Sequence, residues 1–225
     1  MPATLGAGDC SPCGSRLWRS RLRTQQRGDH GVAAFVLMSV VGASPDSAME
    51  LFRMKYADEQ HARALGLPLT VVRATAFAEL WIELLRKTAG RSGRPLVFGR
   101  GRNPINFVSV RDVATLVARV VTDERLQGQT YEIGGPDDLT MVELARRVSG
   151  CRDPRHVPPA VLAIAAAMVG GLRPALGRQM RAALVMDNAS LTFAPAPVRN
   201  AVTGLSCLTV DDLLAESLVG TPTRE

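Results

Sequence analysis

Lysine is almost missing from this chain: of 27 basic residues only Lys55 and Lys87 are lysines, and all the others are arginines. The arginines are scattered through the sequence, so the net charge of +6 reads as a solvated surface and no nucleic-acid partner is expected. Paired cysteine motifs are also lacking. Cys10 and Cys13 form one CxxC while Cys151 and Cys207 stand alone, and a structural zinc site wants a second close pair. Pro12 inside that motif and Gly14 after it remove the strand-then-helix setting of a redox CxxC. No metal site is expected, the thiols are read as reduced, and the protein as cytoplasmic. No apolar run is long enough for a bilayer: the longest, Ala160 to Leu172, contains Gly170-Gly171 and reads as a buried or partner-facing helix. Residues 1–30 have no apolar segment of the secretory kind. Their Gly6-Ala7-Gly8 is followed by Ser11 and Pro12, which is not a phosphate loop. This stretch is read as a loose Arg-rich extension with one short helix around Leu17 to Gln26.

The pattern changes abruptly at Val32. Phe35-Val36-Leu37-Met38 is a continuous apolar run, the signature of a parallel strand covered on both faces. Ser44-Pro45 supplies an N-cap and a first-turn proline for a helix running to about Leu65, where Gly66 stops it. Leu69 to Val72 is the next buried strand. Strand, helix and strand with short turns imply a right-handed parallel crossover and an α/β fold. Further on come a helix from about Glu79 to Lys87, a strand at Leu96 to Phe98 and a strand at Thr130 to Ile133. Capping boxes are expected at Ser109 with Asp112, Thr140 with Glu143, and Thr209 with Asp212. Residues 151–225 read as helical and punctuated by proline.

In open parallel sheets, ligands bind beyond the carboxyl ends of the strands. Ser39 to Ala43, Arg73 to Phe77 and Asn103 to Asn106 converge there by that rule. Lys55 lies on the intervening helix with Leu51 and Glu59 on its face, four residues to either side. By spacing alone it reads as a surface lysine paired with Glu59.

The residues Phe35-Val36-Leu37-Met38-Ser39, Lys55 with Glu59, and Gly66 through Phe77 together resemble the second half of a short-chain dehydrogenase/reductase domain, specifically its atypical, NmrA-like branch. Asn106 to Ala114 and Tyr131 to Pro136 extend the resemblance over residues 31–150. It implies a partial Rossmann-like parallel sheet that binds NAD(P). Lys55 would hydrogen-bond the nicotinamide ribose and Ser39 would lie beside the reacting ring. Arg73, Ala74, Thr75, Ala76 and Phe77 would run along the nicotinamide, Asn106 would face the substrate cleft, and residues 151–225 would form a helical substrate-side region. Two departures stand out. The tyrosine four residues before the lysine, the usual general acid/base, is Leu51 here, and Tyr56 points about 100° away around the helix. The first four strands of the family fold, with the glycine-rich anion site, have no counterpart, so tight autonomous NAD(P) binding is not expected and the sheet edge should be open, inviting self-association. The expected function is that of an NAD(P)-binding, oxidoreductase-like protein present as its carboxyl-terminal half. The alternative is a non-catalytic, dinucleotide-sensing or partner-docking regulator. The change at Val32 also fits a truncated or misread gene product whose first thirty residues are foreign to the fold.

Overall fold

Two apolar runs without alternation, Phe35–Val40 (β1) and Leu69–Ala74 (β2), pair in parallel with Phe35 opposite Leu69 and Ser39 opposite Arg73. They are joined by the helix Glu50–Ala64 (α1). These elements belong to a computed structural model that describes residues 33–170, 174–188, 191–193 and 207–219. The expected extension over residues 1–30 lies outside the described residues. Gly66 ends α1 in the left-handed region at φ +66°, a conformation that costs glycine nothing.

The helix starts a turn later than its sequence suggests. Ser44 Oγ accepts from Asp46 N at 3.2 Å and Ser47 Oγ from Met49 N at 3.2 Å. Short polar side chains there close local turns in place of capping a helix, and Met49, 8% exposed, anchors the entry to α1.

After β2 the chain passes through Ala76–Phe77 (β3) into the helix Ala78–Ala89 (α2), then Leu96–Phe98 (β4) and Pro104–Val108 (β5). The helix Val110–Thr122 (α3), the strands Thr130–Ile133 (β6) and Asp138–Thr140 (β7), and the helix Met141–Val148 (α4) follow. Next come Arg155–Val157 (β8), the helices Pro159–Gly170 (α5) and Pro174–Met186 (α6), and the terminal helix Val210–Val219 (α7). Three small sheets result. β1, β2 and β6 are parallel with β2 in the centre; β5 pairs parallel with β3 and antiparallel with β7; β4 pairs parallel with β8.

Each layer has its own apolar core. Val72, Val108, Val113, Leu116, Val120, Tyr131 and Ile133 pack between the first sheet and α3. Ile82, Leu85, Val97, Phe107, Leu144 and Leu213 fill the second, under α2, α4 and α7. Burying each of these large side chains is worth roughly 1.5–3 kcal/mol.

Of the three expected capping boxes, Thr140 with Glu143 and Thr209 with Asp212 form in both directions. At Ser109 only half a box exists. Ser109 Oγ accepts from Arg111 N at 3.1 Å but donates to Glu79 Oε1 at 2.7 Å, while Asp112 Oδ2 accepts from Leu208 N at 3.0 Å. Asp112 is drawn away because it accepts from the backbone of the segment leading to α7, 96 residues on.

Candidate functional site

The parity of the β1 ladder determines what Lys55 does. Phe35 N donates to Pro68 O and Val41 N to Ala74 O, so odd-numbered residues turn their backbone groups toward β2 and even-numbered ones toward the outer edge. Met38 O therefore faces outward, and Lys55 Nζ donates to it at 3.0 Å. No described strand pairs with that edge. Lys55, half-buried, caps one orphan carbonyl of an edge strand and does not pair with Glu59. Two of its three N–H groups have no partner among the described residues.

Glu59 is taken by other groups. Its carboxylate is fully buried and accepts from Ser39 Oγ at 2.6 Å, from Arg73 Nε at 3.0 Å and Nη2 at 2.8 Å, and from Arg63 Nη1 at 3.3 Å. The third arm of the Arg73 fork reaches Glu132 Oε1 at 3.0 Å. Burial pushes the Glu59 pKa up, but the hydrogen bonds from Arg73, Ser39 and Arg63 outweigh it and hold the group below the usual carboxylate range. The bond to Glu59 raises the Arg73 pKa. With Glu59 ionised, the single hydroxyl proton of Ser39 is committed to it, and Ser39 can only accept from anything else. Sequence reasoning missed this hub. The available signal was an arginine inside an apolar strand, which demands an acid, together with a glutamate on the buried face of the helix that precedes it.

The remaining predicted residues lie at the corner after β2. Ala74 is 3% exposed. Thr75 N donates to Ile133 O at 3.0 Å, and Thr75 Oγ1 to Asn106 Oδ1 at 3.0 Å. Ala76 packs on the second core and Phe77 on the first. Asn106 is 2% exposed, accepts from Gly135 N at 2.8 Å and donates to Gly135 O and Asp138 Oδ1 at 3.2 and 2.8 Å. It bolts the 73–77 corner to the turn before β7. The structure thus joins Ser39 to Arg73 through Glu59 and Thr75 to Asn106 directly, with Lys55 standing outside at the edge of β1. Leu51, where a proton donor would be expected, is half exposed and apolar.

Cavities occur elsewhere. One of about 40 Å³ is lined by Trp81, Leu85, Phe98, Ile105 and Met186, and an open groove of about 900 Å³ by Arg100, Arg102, Arg146 and His156 among others. Of the segments expected to converge on a ligand, Asn103 and Ile105 touch the first cavity, whereas Ser39, Lys55, Arg73 to Phe77 and Asn106 line neither. Among the described residues no cluster of His, Cys, Asp or Glu is arranged to hold a metal.

No protein-family model matches the chain. Among curated proteins, the NAD(P)H azoreductase of Xenophilus azovorans is 26% identical over 122 residues, which is 53% of this chain and 41% of that protein. The mitochondrial NADH-ubiquinone oxidoreductase 40 kDa subunit of Neurospora crassa is 28% identical over 120 residues, 53% of this chain and 32% of that one. The chain thus spans less than half the length of these curated relatives. Among solved structures, a nucleoside-diphosphate-sugar epimerase of Staphylococcus aureus superposes with a TM-score of 0.68 at 17% identity, over 93% of this chain and 74% of the other. An NADPH-dependent quinone oxidoreductase of Escherichia coli, solved with NADPH, gives 0.66 at 16% identity over 83% and 66%. The chain has a Rossmann-like α/β fold. Helices cover the parallel sheet as they do in that fold, and the carboxyl ends of β1 and β2 are the edge at which such sheets hold ligands.

Proposed function

We propose that this chain is an NAD(P)-binding, oxidoreductase-like protein of the atypical short-chain dehydrogenase/reductase, NmrA-like, type, comprising the carboxyl-terminal half of such a domain. Residues 31–150 carry the nucleotide side and residues 151–225 the substrate side. The observation that supports the reading is the ammonium of Lys55 at the carboxyl end of β1, tethered to Met38 O at 3.0 Å with two N–H groups to spare. Those two donors suit a pair of vicinal ribose hydroxyls. The fit is confined to this end, because no glycine-rich turn opening a helix lies among the described residues before α1. A bound nicotinamide dinucleotide supplies hydride chemistry. What this chain contributes is the ammonium of Lys55, a Ser39 oxygen that accepts but does not donate, and the rigid corner from Arg73 to Phe77 that Asn106 fastens.

A non-catalytic, dinucleotide-sensing reading is favoured by one specific observation. Neither Leu51 nor Ser39, whose proton belongs to Glu59, can deliver a proton to a reduced product, so protons would come from water or substrate.

Titrating NADPH into the purified chain and following nicotinamide fluorescence tests the proposal. Saturable binding is expected, weaker in Lys55→Ala by roughly tenfold, the value of one charge-assisted hydrogen bond. Absence of any saturable change at millimolar cofactor removes both readings. Consumption of NADPH with an azo dye or a quinone as acceptor, the classes in the relatives' names, separates the enzyme from the sensor.

A further inference from the structure

Residues 154–186 contain Arg155, Arg173, Arg178 and Arg181 and no aspartate or glutamate. Within this stretch α5 and α6 pack against each other. Every side chain of α5 is apolar. Leu162 and Ala166, one turn apart, are 3% and 4% exposed and form its inner face. Val161, Ile164 and Met168 are 52%, 61% and 73% exposed, and their spacing of three and four puts them on one outer face. On α6, Arg178 and Arg181 are exposed and also three apart.

An all-apolar helix normally lies inside a protein, so something of matching chemistry is needed for this face. A protein partner fits poorly. Protein interfaces are enriched in aromatic side chains and carry about one hydrogen bond per 100–200 Å², whereas the outer face of α5 offers no aromatic ring and no side-chain donor or acceptor. A second copy would bring one acid-free arginine set against another, with repulsion uncompensated in between. An anionic lipid surface satisfies both features: the acyl boundary accepts alkyl side chains, and the headgroup phosphates accept guanidiniums. No helix among the described residues is long and apolar enough to cross a membrane, so the contact is one of lying on the surface. We propose that the α5–α6 hairpin is a peripheral docking surface for anionic phospholipid, with Val161, Ile164 and Met168 entering the boundary and Arg178 and Arg181 at the phosphates. This is independent of whether the chain binds NAD(P).

Flotation of the full chain with vesicles of phosphatidylcholine alone, and of phosphatidylcholine mixed with phosphatidylglycerol, tests it. Binding is expected only to the mixed vesicles and is expected to weaken as salt is raised. The double variant Arg178→Gln/Arg181→Gln should lower partitioning roughly 30-fold, at about a fivefold loss per basic residue. The double variant Ile164→Glu/Met168→Glu should lower it by at least roughly tenfold, with an unchanged circular dichroism spectrum because both residues face solvent. Equal binding to both vesicle types, no binding to either, or undiminished binding by the glutamate variant would each overturn the proposal. So would a dimer in light scattering that dissolves in the glutamate variant, which would mean that a second copy covers the face.

Discussion

Glu59 and Asp187 are both buried carboxylates, and they are satisfied by opposite means. Glu59 in the first sheet layer is met almost wholly by side chains: the Arg73 fork, the Ser39 hydroxyl and Arg63. Asp187, its side chain 3% exposed at the end of α6, is met largely by backbone: Arg100 N and Gly101 N each donate to its Oδ1 at 2.9 Å, with Arg100 Nε at 3.3 Å on Oδ2. A side-chain hub can be rewired by point substitution, because each partner is a replaceable residue. A backbone cradle depends on the path of the loop, and here that path depends on glycine.

The contrast can be broken most forcefully at Arg73. Arg73→Ala leaves Glu59 buried without its main partner and is expected to cost about 3 kcal/mol, the lower end for breaking a buried ion pair since the guanidinium is partly exposed; a shift in the urea midpoint measures it. At the other carboxylate the sensitive residue is a neighbour. Gly99 has φ +74° and a Cβ built there would come within 2.6 Å of Asp187 Cγ, so Gly99→Ala should cost about 2 kcal/mol. Gly128, at φ +78° with open space around it, is the matching control; its alanine variant should lose only about 1 kcal/mol of backbone strain. Equal losses at the two glycines would mean that Asp187 does not depend on the loop.

Ser39→Ala should cost about 1 kcal/mol, because Arg73 still holds the same Glu59 oxygen. If NADPH binding is present, its affinity should change little, since the Ser39 proton is already spent on Glu59.

Acid titration sharpens the comparison with the smallest effect. At Asp187 burial raises the pKa, but the backbone N–H groups of Arg100 and Gly101 bring it below the ordinary value; Glu59 is lowered too. A carboxylate depressed in the folded state contributes stability that is complete above its unfolded pKa and drains as pH falls through the folded one. Urea midpoints should therefore be flat above about pH 5 and decline below about pH 4. Asp187→Asn should flatten part of that decline while leaving the part due to Glu59.

Much of the architecture was legible before any coordinates. β1 and β2 are largely apolar runs, and Thr140 with Glu143 and Thr209 with Asp212 announce helix starts because both partners of each box lie within one turn. Where local reading failed, either a nearer partner or a distant group intervened. Ser44 looks like a cap, yet Ser44 and Ser47 close their own turns. Asp112 looks like the far half of a box, yet Leu208 N claims it from 96 residues away. Asn106, which the family resemblance places at a substrate cleft, is a buried link between two corners here. Lys55 was legible as a residue of interest, but its contact with Met38 O depends on which way the β1 carbonyls turn.

The amino-acid order by itself determined the α/β class, the helix-linked parallel pair of strands and the acid-free character of residues 154–186, because each follows from local periodicity or composition. Only the tertiary structure decided that Glu59 belongs to Arg73 and Ser39 rather than to Lys55, and that Lys55 guards a strand edge. The reason is that a carboxylate has few lone pairs and a buried site few neighbours. Which donors reach it is determined by strand register and helix rotation, and no window along the chain contains either.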